Sequence, residues 1–258
     1  MITIISPAKT VDFEQPAPTA AHTIPDYLFQ SRKLVRHLKR HSKEQLMSLM
    51  SVSENIAELN VKRYKKFRTP FRPDNAKQAI YAFRGDVYRH MRINTYDEAT
   101  LDFAQQSLRI LSGLYGCLRP LDLIQPYRLE MKTRLANDSG PDLYRFWGDR
   151  ITKALNKELR SAPDPVLINL ASREYAKVID FNKINVPVIT IEFKEVENNE
   201  AKVIAIFAKW ARGMMADHII RNQITDPTEL QNFNESGYKY SESASSEDNW
   251  VFLRPRPE

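Results

Sequence analysis

With 258 residues, 42% hydrophobic and 27% charged, the chain has the balance of an ordinary soluble globular protein with room for a real core. No apolar run approaches the roughly 20 residues that span a bilayer, and a single cysteine excludes a disulfide framework and fits a reducing cytoplasm. The formal charge of +6 is local: residues 31–72 carry twelve basic and three acidic side chains, whereas the remainder carries 26 basic against 29 acidic. Clustering of that kind is the footprint of a polyanion partner, although a solvated helix face can be basic without one.

MITIISPAKT has no basic leader before its apolar residues and does not read as a secretory signal. Residues 1–5 are apolar and β-branched, as in a buried strand, and Ser6-Pro7-Ala8-Lys9 ends it because proline cannot continue a central strand. The Ser-x-x-Lys spacing admits a serine nucleophile with a lysine base. Neither Ser-Asp-Asn nor Lys-Thr-Gly accompanies it, so a structural or anion-facing Lys9 is the preferred reading. Residues 11–24 predict a surface loop.

From Pro25 the pattern turns helical, with Tyr27, Leu28, Leu34, Val35 and Leu38 on one side. His37 and His41 share metal-ligand spacing, but Arg36, Lys39, Arg40 and Lys43 would repel a cation, so exposed histidines are expected. Ser42-Lys43-Glu44-Gln45 predicts a capping box and Ser51-Val52-Ser53-Glu54 a second. Asn60 is placed to cap a third helix bearing Lys62, Arg63, Lys65 and Lys66. Residues 25–73 thus form a basic helical subdomain with a helix-hairpin-helix-like segment at 45–67. Its best hairpin is Ile56-Ala57-Glu58-Leu59-Asn60, which would offer backbone N–H groups to one DNA phosphate. Glu58 and Asn60 stand where glycine is usual, and Tyr64 where a small residue is usual; no base specificity is implied.

Helix-rich segments follow at Ala76–Phe83 and Val87–Met91 about a turn at Gly85, then a capped helix from Thr95-Tyr96-Asp97-Glu98 to about Ser107. The stretch Arg109–Met131, RILSGLYGCLRPLDLIQPYRLEM, holds Gly113, Gly116, Cys117, Pro120 and Pro126, so its backbone must turn repeatedly. Its Arg109, Arg119 and Arg128 suit a phosphate or carboxylate site, or else pair with Asp122 and Glu130 in a packed crossover. Tyr127–Met131 alternates like a strand, and residues 142–160 predict a helix stopped by Pro163 and Pro165. Val166–Ala171 reads as a buried strand feeding a helix at Ser172-Arg173-Glu174-Tyr175, the usual place for an α/β ligand site.

Strands are expected at 186–196 and 202–207 around Asn198-Asn199, then a helix over Lys209–Asn222 and a short one opened by Asp226-Pro227-Thr228-Glu229. Trp250–Leu253 should pair with Tyr238–Ser241. Without strict βαβ alternation the pattern is α+β: one domain over residues 1–258, a mixed sheet surrounded by helices.

The strings ISPAKT at 5–10, the 109–131 stretch, LYRFWGDRIT at 143–152, INLASREY at 168–175, ARGMMADHIIRNQIT at 211–225 and FNESGYKY at 233–240 closely resemble the YaaA family of peroxide-stress resistance proteins. The resemblance implies an unusual mixed α/β fold and a cytoplasmic protein that protects DNA and proteins from hydrogen peroxide by limiting unincorporated iron. It also implies DNA binding through a helix-hairpin-helix beside a positively charged cleft. Carried onto this chain, the cleft would use Lys9, Arg109, Arg119, Arg128, Arg173, Lys209 and Arg212, with Ser6, Tyr127, Asn169 and Ser172 as neutral members. The DNA contacts would fall on Asn60, Lys62, Arg63, Lys65 and Lys66 of the 56–66 segment.

Two functions follow from different classes. The first is a non-enzymatic binder of double-stranded DNA through backbone contacts, without metal, cofactor or membrane partner, and monomeric as a working expectation. Five scattered histidines and one cysteine offer no iron ligand set, so any effect on iron would be indirect. The second is an enzyme acting on a nucleotide or nucleic acid, with Lys9 or Tyr127 reactive in an arginine-lined cleft. Whether Cys117 is redox-active is not legible in the residues.

Overall fold

The computed structural model describes residues 1–160 and 165–257; the predicted helix stop at Pro163 falls outside them. Eight strands form one mixed sheet: β1 Ile2–Ile5, β2 Leu108–Ser112, β3 Gly116–Leu118, β4 Leu167–Asn169, β5 Val188–Glu197, β6 Glu200–Lys202, β7 Lys239–Tyr240 and β8 Asn249–Pro255. Their order is β7-β8-β5-β4-β1-β2-β3, with β6 paired to β5. The architecture is α+β, as the element pattern predicts.

Strand β1 is parallel to both neighbours, Thr3 lying beside Leu108 on one side and Ile168 on the other. A strand covered on both faces is mostly apolar, and all four residues of β1, three isoleucines and Thr3, are buried. By contrast β5 alternates buried and half-buried positions, as a strand with one wetter face should. The chain leaves β1 for β2 on one side of it and leaves β4 for β5 on the other. Loops after β1 and β4 therefore diverge, which opens a crevice at a topological switch point.

Among the described residues ten α-helices accompany the sheet: α1 Leu28–Leu38, α2 Lys43–Met50, α3 Glu54–Lys66, α4 Ala79–Ala82, α5 Asp86–Arg89, α6 Glu98–Ser107, α7 Leu143–Trp147, α8 Arg150–Leu159, α9 Arg173–Ala176 and α10 Ala205–Arg221. The first predicted capping box is present: Gln45 N donates to Ser42 Oγ at 3.2 Å and Ser42 N to Gln45 Oε1 at 2.7 Å. The loop at 11–24 is pinned by Lys77 and Gln78, whose side chains donate to the carbonyls of Asp12, Gln15, Thr19 and Ala21.

Several predicted elements change. Ile56–Asn60 is not a hairpin but the interior of α3; the turn between α2 and α3 lies at Ser51, which is left-handed with φ 51°, and Ser53 precedes the helix. Ala57, Asn60 and Tyr64 form the buried stripe of α3 at helical spacing, and Asn60 satisfies part of its amide by donating to Ile56 O at 2.8 Å. Asn60 is consequently no cap. Tyr127–Met131 joins no strand ladder; the Arg128 carbonyl instead accepts the Tyr64 hydroxyl.

The predicted strand at 202–207 ends at Lys202, and α10 starts at Ala205, four residues before the expected start. Two left-handed asparagines, Asn198 and Asn199, make the tight turn, and the Glu195 carboxylate accepts Ile204 N at 3.3 Å. The single helix predicted over 142–160 breaks into α7 and α8 at Gly148, where φ is 48°. Around Ala76–Phe83 the chain makes two short bridges, Lys77–Gln78 with Leu123–Ile124 and Phe83–Arg84 with Thr10–Val11, flanking one helical turn.

The two glycines of the central stretch act differently. Gly116 has φ 75° and lies under the Trp147 ring, whereas a Cβ on Gly113 would stand 2.3 Å from the Leu129 carbonyl oxygen. Trp147 Nε1 also donates to Gly113 O at 3.0 Å, so no relaxation away from Leu129 is free of cost. Gly113→Ala should destabilise the fold by at least the ~1–3 kcal/mol of an overpacked core site, lowering the melting temperature by several degrees. An unchanged thermal melt would show that this backbone approach is not a constraint.

Candidate functional site

The loops that leave β1 and β4 are stitched together. Ser172 N donates to Ser6 Oγ at 2.9 Å, Ser6 Oγ donates to Ser172 Oγ at 3.2 Å, and the Tyr88 hydroxyl donates to Ser6 O at 3.1 Å. Asn169 Oδ1 accepts Ala171 N at 3.0 Å while its Nδ2 donates to Thr190 at 3.3 Å, fixing the other edge. Over this base lies a cavity of about 640 Å³ lined by Lys9, Arg84, Arg89, Arg173, Lys209 and Arg212, with Asp86 and Glu174 as its acids. Pro7, Ala8, Val87, Leu170, Tyr88 and Tyr175 form its less polar wall.

Only part of this charge is neutralised locally. Lys9 lies 3.0 Å from Glu130, Arg84 3.0 Å from Asp12 and Lys209 3.5 Å from Asp86. Arg173 meets Glu192 only at 3.7 Å, and its side chain is 96% exposed. Among the described residues Arg89 and Arg212 have no ion pair, and the buried Nε of Arg212 has no hydrogen-bond acceptor. Burial holds the Arg212 guanidinium below its ordinary pKa; Glu192 opposes that fall and the charge of Arg173 adds to it. An anion entering here would relieve both effects.

A second cavity, of about 460 Å³, lies against the C-terminal end of α2 and is lined by Lys9, Arg128, Lys132 and Arg134. Lys9 borders both cavities. Glu130 gathers Lys9, Arg128 and Lys132 at 3.0, 3.1 and 3.6 Å. Burial raises its pKa, but those cations bring the carboxyl below the usual range. Arg63 of α3 feels the nearby Arg128 charge: burial first, and that neighbour second among the lowering causes, depress its pKa. Cationic groups therefore run from α3 through Arg128 and Lys9 into the cleft.

Of the residues that the resemblance assigns to a cleft, Ser6, Lys9, Ser172, Arg173, Lys209 and Arg212 line this one cavity. Asn169 lies in an adjoining hollow with Arg173 and Arg212. Arg109 and Arg119 do not belong to the cleft; they border a separate groove of about 850 Å³ with Tyr27, Arg150, Lys153 and Lys157. Arg109 is buried and donates to Glu158 at 2.7 Å, and Arg119 is 3.0 Å from Asp122 and 3.1 Å from Asp26. Their role there is the packed-crossover one. Tyr127 is buried outside the cleft, shares a 2.7 Å hydrogen bond with Ser112 and meets Tyr115 edge to face; burial raises its pKa.

On α3, Lys62 is held by Glu58 at 2.6 Å, so each offsets the other's charge. Lys65 and Lys66 are exposed and have no acidic partner among the described residues. Arg84 and Arg89 were missing from the sequence reading. Their signal was Gly85, whose added Cβ would approach Ala8 Cβ at 3.1 Å: that glycine lets the 83–89 segment close onto the loop after β1.

A family model described as Peroxide stress protein YaaA matches residues 1–244. The chain belongs to the YaaA family. It is 48% identical to a UPF0246 protein of Hahella chejuensis, covering 98% of this chain and 99% of the relative. The same identity relates it to UPF0246 proteins of Cellvibrio japonicus, over 100% of both chains, and Ralstonia nicotianae, over 98% and 99%.

In a peroxide stress family the lone thiol invites scrutiny. Cys117 is buried on β3, and burial pushes its pKa up to about 12, with Arg109 only partly opposing. The thiolate that attacks peroxide is therefore scarce near neutral pH. Among the described residues no group of three or more His, Cys, Asp or Glu side chains is placed to hold a metal ion, and no helix is long and apolar enough to cross a membrane.

Because the thiol pKa is raised on folding, the neutral thiol's contribution to stability is full below the ordinary value near 9 and is lost as pH rises towards about 12. Native Cys117 should resist a thiol reagent at pH 8 and react on unfolding in urea. Rapid labelling of the native protein would contradict a buried, protonated thiol.

Proposed function

We propose that this YaaA-family chain serves the peroxide stress response by binding the DNA backbone without base-sequence preference, and that its part in limiting unincorporated iron is exerted without holding iron itself. The observation that carries this reading is the run of cations from Arg63 through Arg128 to Lys9 and the incompletely neutralised cleft, with Lys65 and Lys66 exposed on the same helix as Arg63. A phosphate chain supplies the counter-charge that such a surface lacks, and releasing its condensed ions drives association. This reading takes the end of α3 as the contact rather than a hairpin at 56–60, since Asn60 is interior to the helix.

The enzymatic alternative keeps a cleft at the switch point but loses one of its two candidate reactive groups, because Tyr127 lies outside it. Lys9 remains, engaged by Glu130 at 3.0 Å.

Fluorescence anisotropy with short duplexes of different sequence should show similar affinities that fall steeply with salt. Lys65→Glu with Lys66→Glu should weaken binding about tenfold or more and reduce the salt slope by about 1 for each phosphate contact removed. No duplex binding at low salt, or binding indifferent to salt, would remove the proposal.

A further inference from the structure

We infer that the cleft at the ends of β1 and β4 seats one nucleotide-sized phosphate ester, while duplex DNA lies across the surface outside it. The inference rests on the anion-binding reading of the cleft given above and adds the size and chemistry of what enters. At about 640 Å³ the cavity falls within the range of small-molecule sites, roughly 300–1,000 Å³. A double helix cannot enter such a space; a single nucleotide can.

The lining divides by chemistry. Arg89 and Arg212 have no ion pair among the described residues, and Arg173 and Lys209 are held only loosely, at 3.7 and 3.5 Å from their acids. Four cations without close one-to-one partners match a phosphate dianion better than a monocarboxylate, and guanidinium groups suit its geometry. Arg212 Nε is a buried donor still lacking an acceptor, which a phosphoryl oxygen would provide.

The base of the cleft adds one more donor. Ser6 spends its only hydroxyl proton on Ser172 Oγ, and it accepts Ser172 N, so the Ser172 hydroxyl proton remains for a ligand. Pro7, Val87 and Leu170 also line the cavity and give the apolar surface that a base or sugar needs. A purely inorganic anion would leave that surface unused. The crevice also stands where chains diverge from β1 and β4, the position at which open α/β sheets take ligands. The phosphate ester could be supplied as a free mononucleotide or as the 5′-phosphorylated end of a DNA strand, since both present the same group.

Titration calorimetry of the full chain with adenosine 5′-monophosphate at low salt tests this. One-to-one binding is expected, with adenosine about tenfold weaker or worse, and with Arg212→Ala and Arg89→Ala each costing about tenfold. Arg89 is exposed, so its variant keeps the test decisive even if Arg212→Ala unfolds; thermal melts report that. Tighter binding of a 5′-phosphorylated duplex than of its dephosphorylated copy, cancelled by excess monophosphate, would assign the strand end; equal binding beside a tight monophosphate would assign the free nucleotide.

No monophosphate binding at millimolar concentration, or binding unchanged in both folded variants, overturns the inference. Duplex binding without monophosphate binding sinks this inference and leaves the DNA reading standing; monophosphate binding without duplex binding does the reverse.

Discussion

Parallel pairing on both edges of β1 is the constraint from which the rest follows. Four residues flanked by β2 and β4 have no solvent-facing side, so Ile2, Ile4 and Ile5 fill the core, Thr3 is buried with them, and the chain first meets the cleft at Ser6. The first polar group after a buried strand is therefore delivered to the same edge as Ser172 after β4, and the two serines bond to each other. Placement of the cleft is thus a consequence of sheet order, and its charge is added by segments that close over it from 83–89, α9 and α10.

Glu130 plays the corresponding part for the second cavity. A buried carboxylate would be costly alone, but three cations converge on it and keep it ionised. Removing such a hub would leave Lys9 and Arg128 without their nearest counter-charge. The positive surface is consequently not a set of stray lysines: its inner members are positioned by an acid, and its outer members, Lys65, Lys66 and Arg173, are not so restrained. Positioned inner cations and loosely held outer ones suit a surface that meets ligands of differing length.

Much of this was legible in the residues, and the failures have physical causes. Apolar β-branched runs revealed β1 and β4 because burial on both faces leaves no other composition, and Ser42 with Gln45 announced α2 because a capping box is a local device. Gly113 and Gly116 were rightly read as backbone devices, one for close approach and one for positive φ. Asn60 misled because asparagine favours caps on the surface, whereas here a buried helical stripe and a bond to Ile56 O override that preference. The segment 202–207 misleads because a short apolar run does not distinguish strand from helix. The resemblance assigns Arg109 and Arg119 to the cleft, yet their guanidinium groups border another groove and meet Glu158 and Asp122. Distances across a folded chain are not encoded in any one stretch.

Tyr64 carries a mechanical consequence. Its side chain is fully buried and its hydroxyl is bonded to the carbonyl of Arg128, a residue of the central stretch that also borders the second cavity. The basic end of α3 is thereby clamped to the body rather than carried on a swinging arm. Spacing between the helix cations and the cleft is set in advance, so a ligand spanning both would have to conform to it.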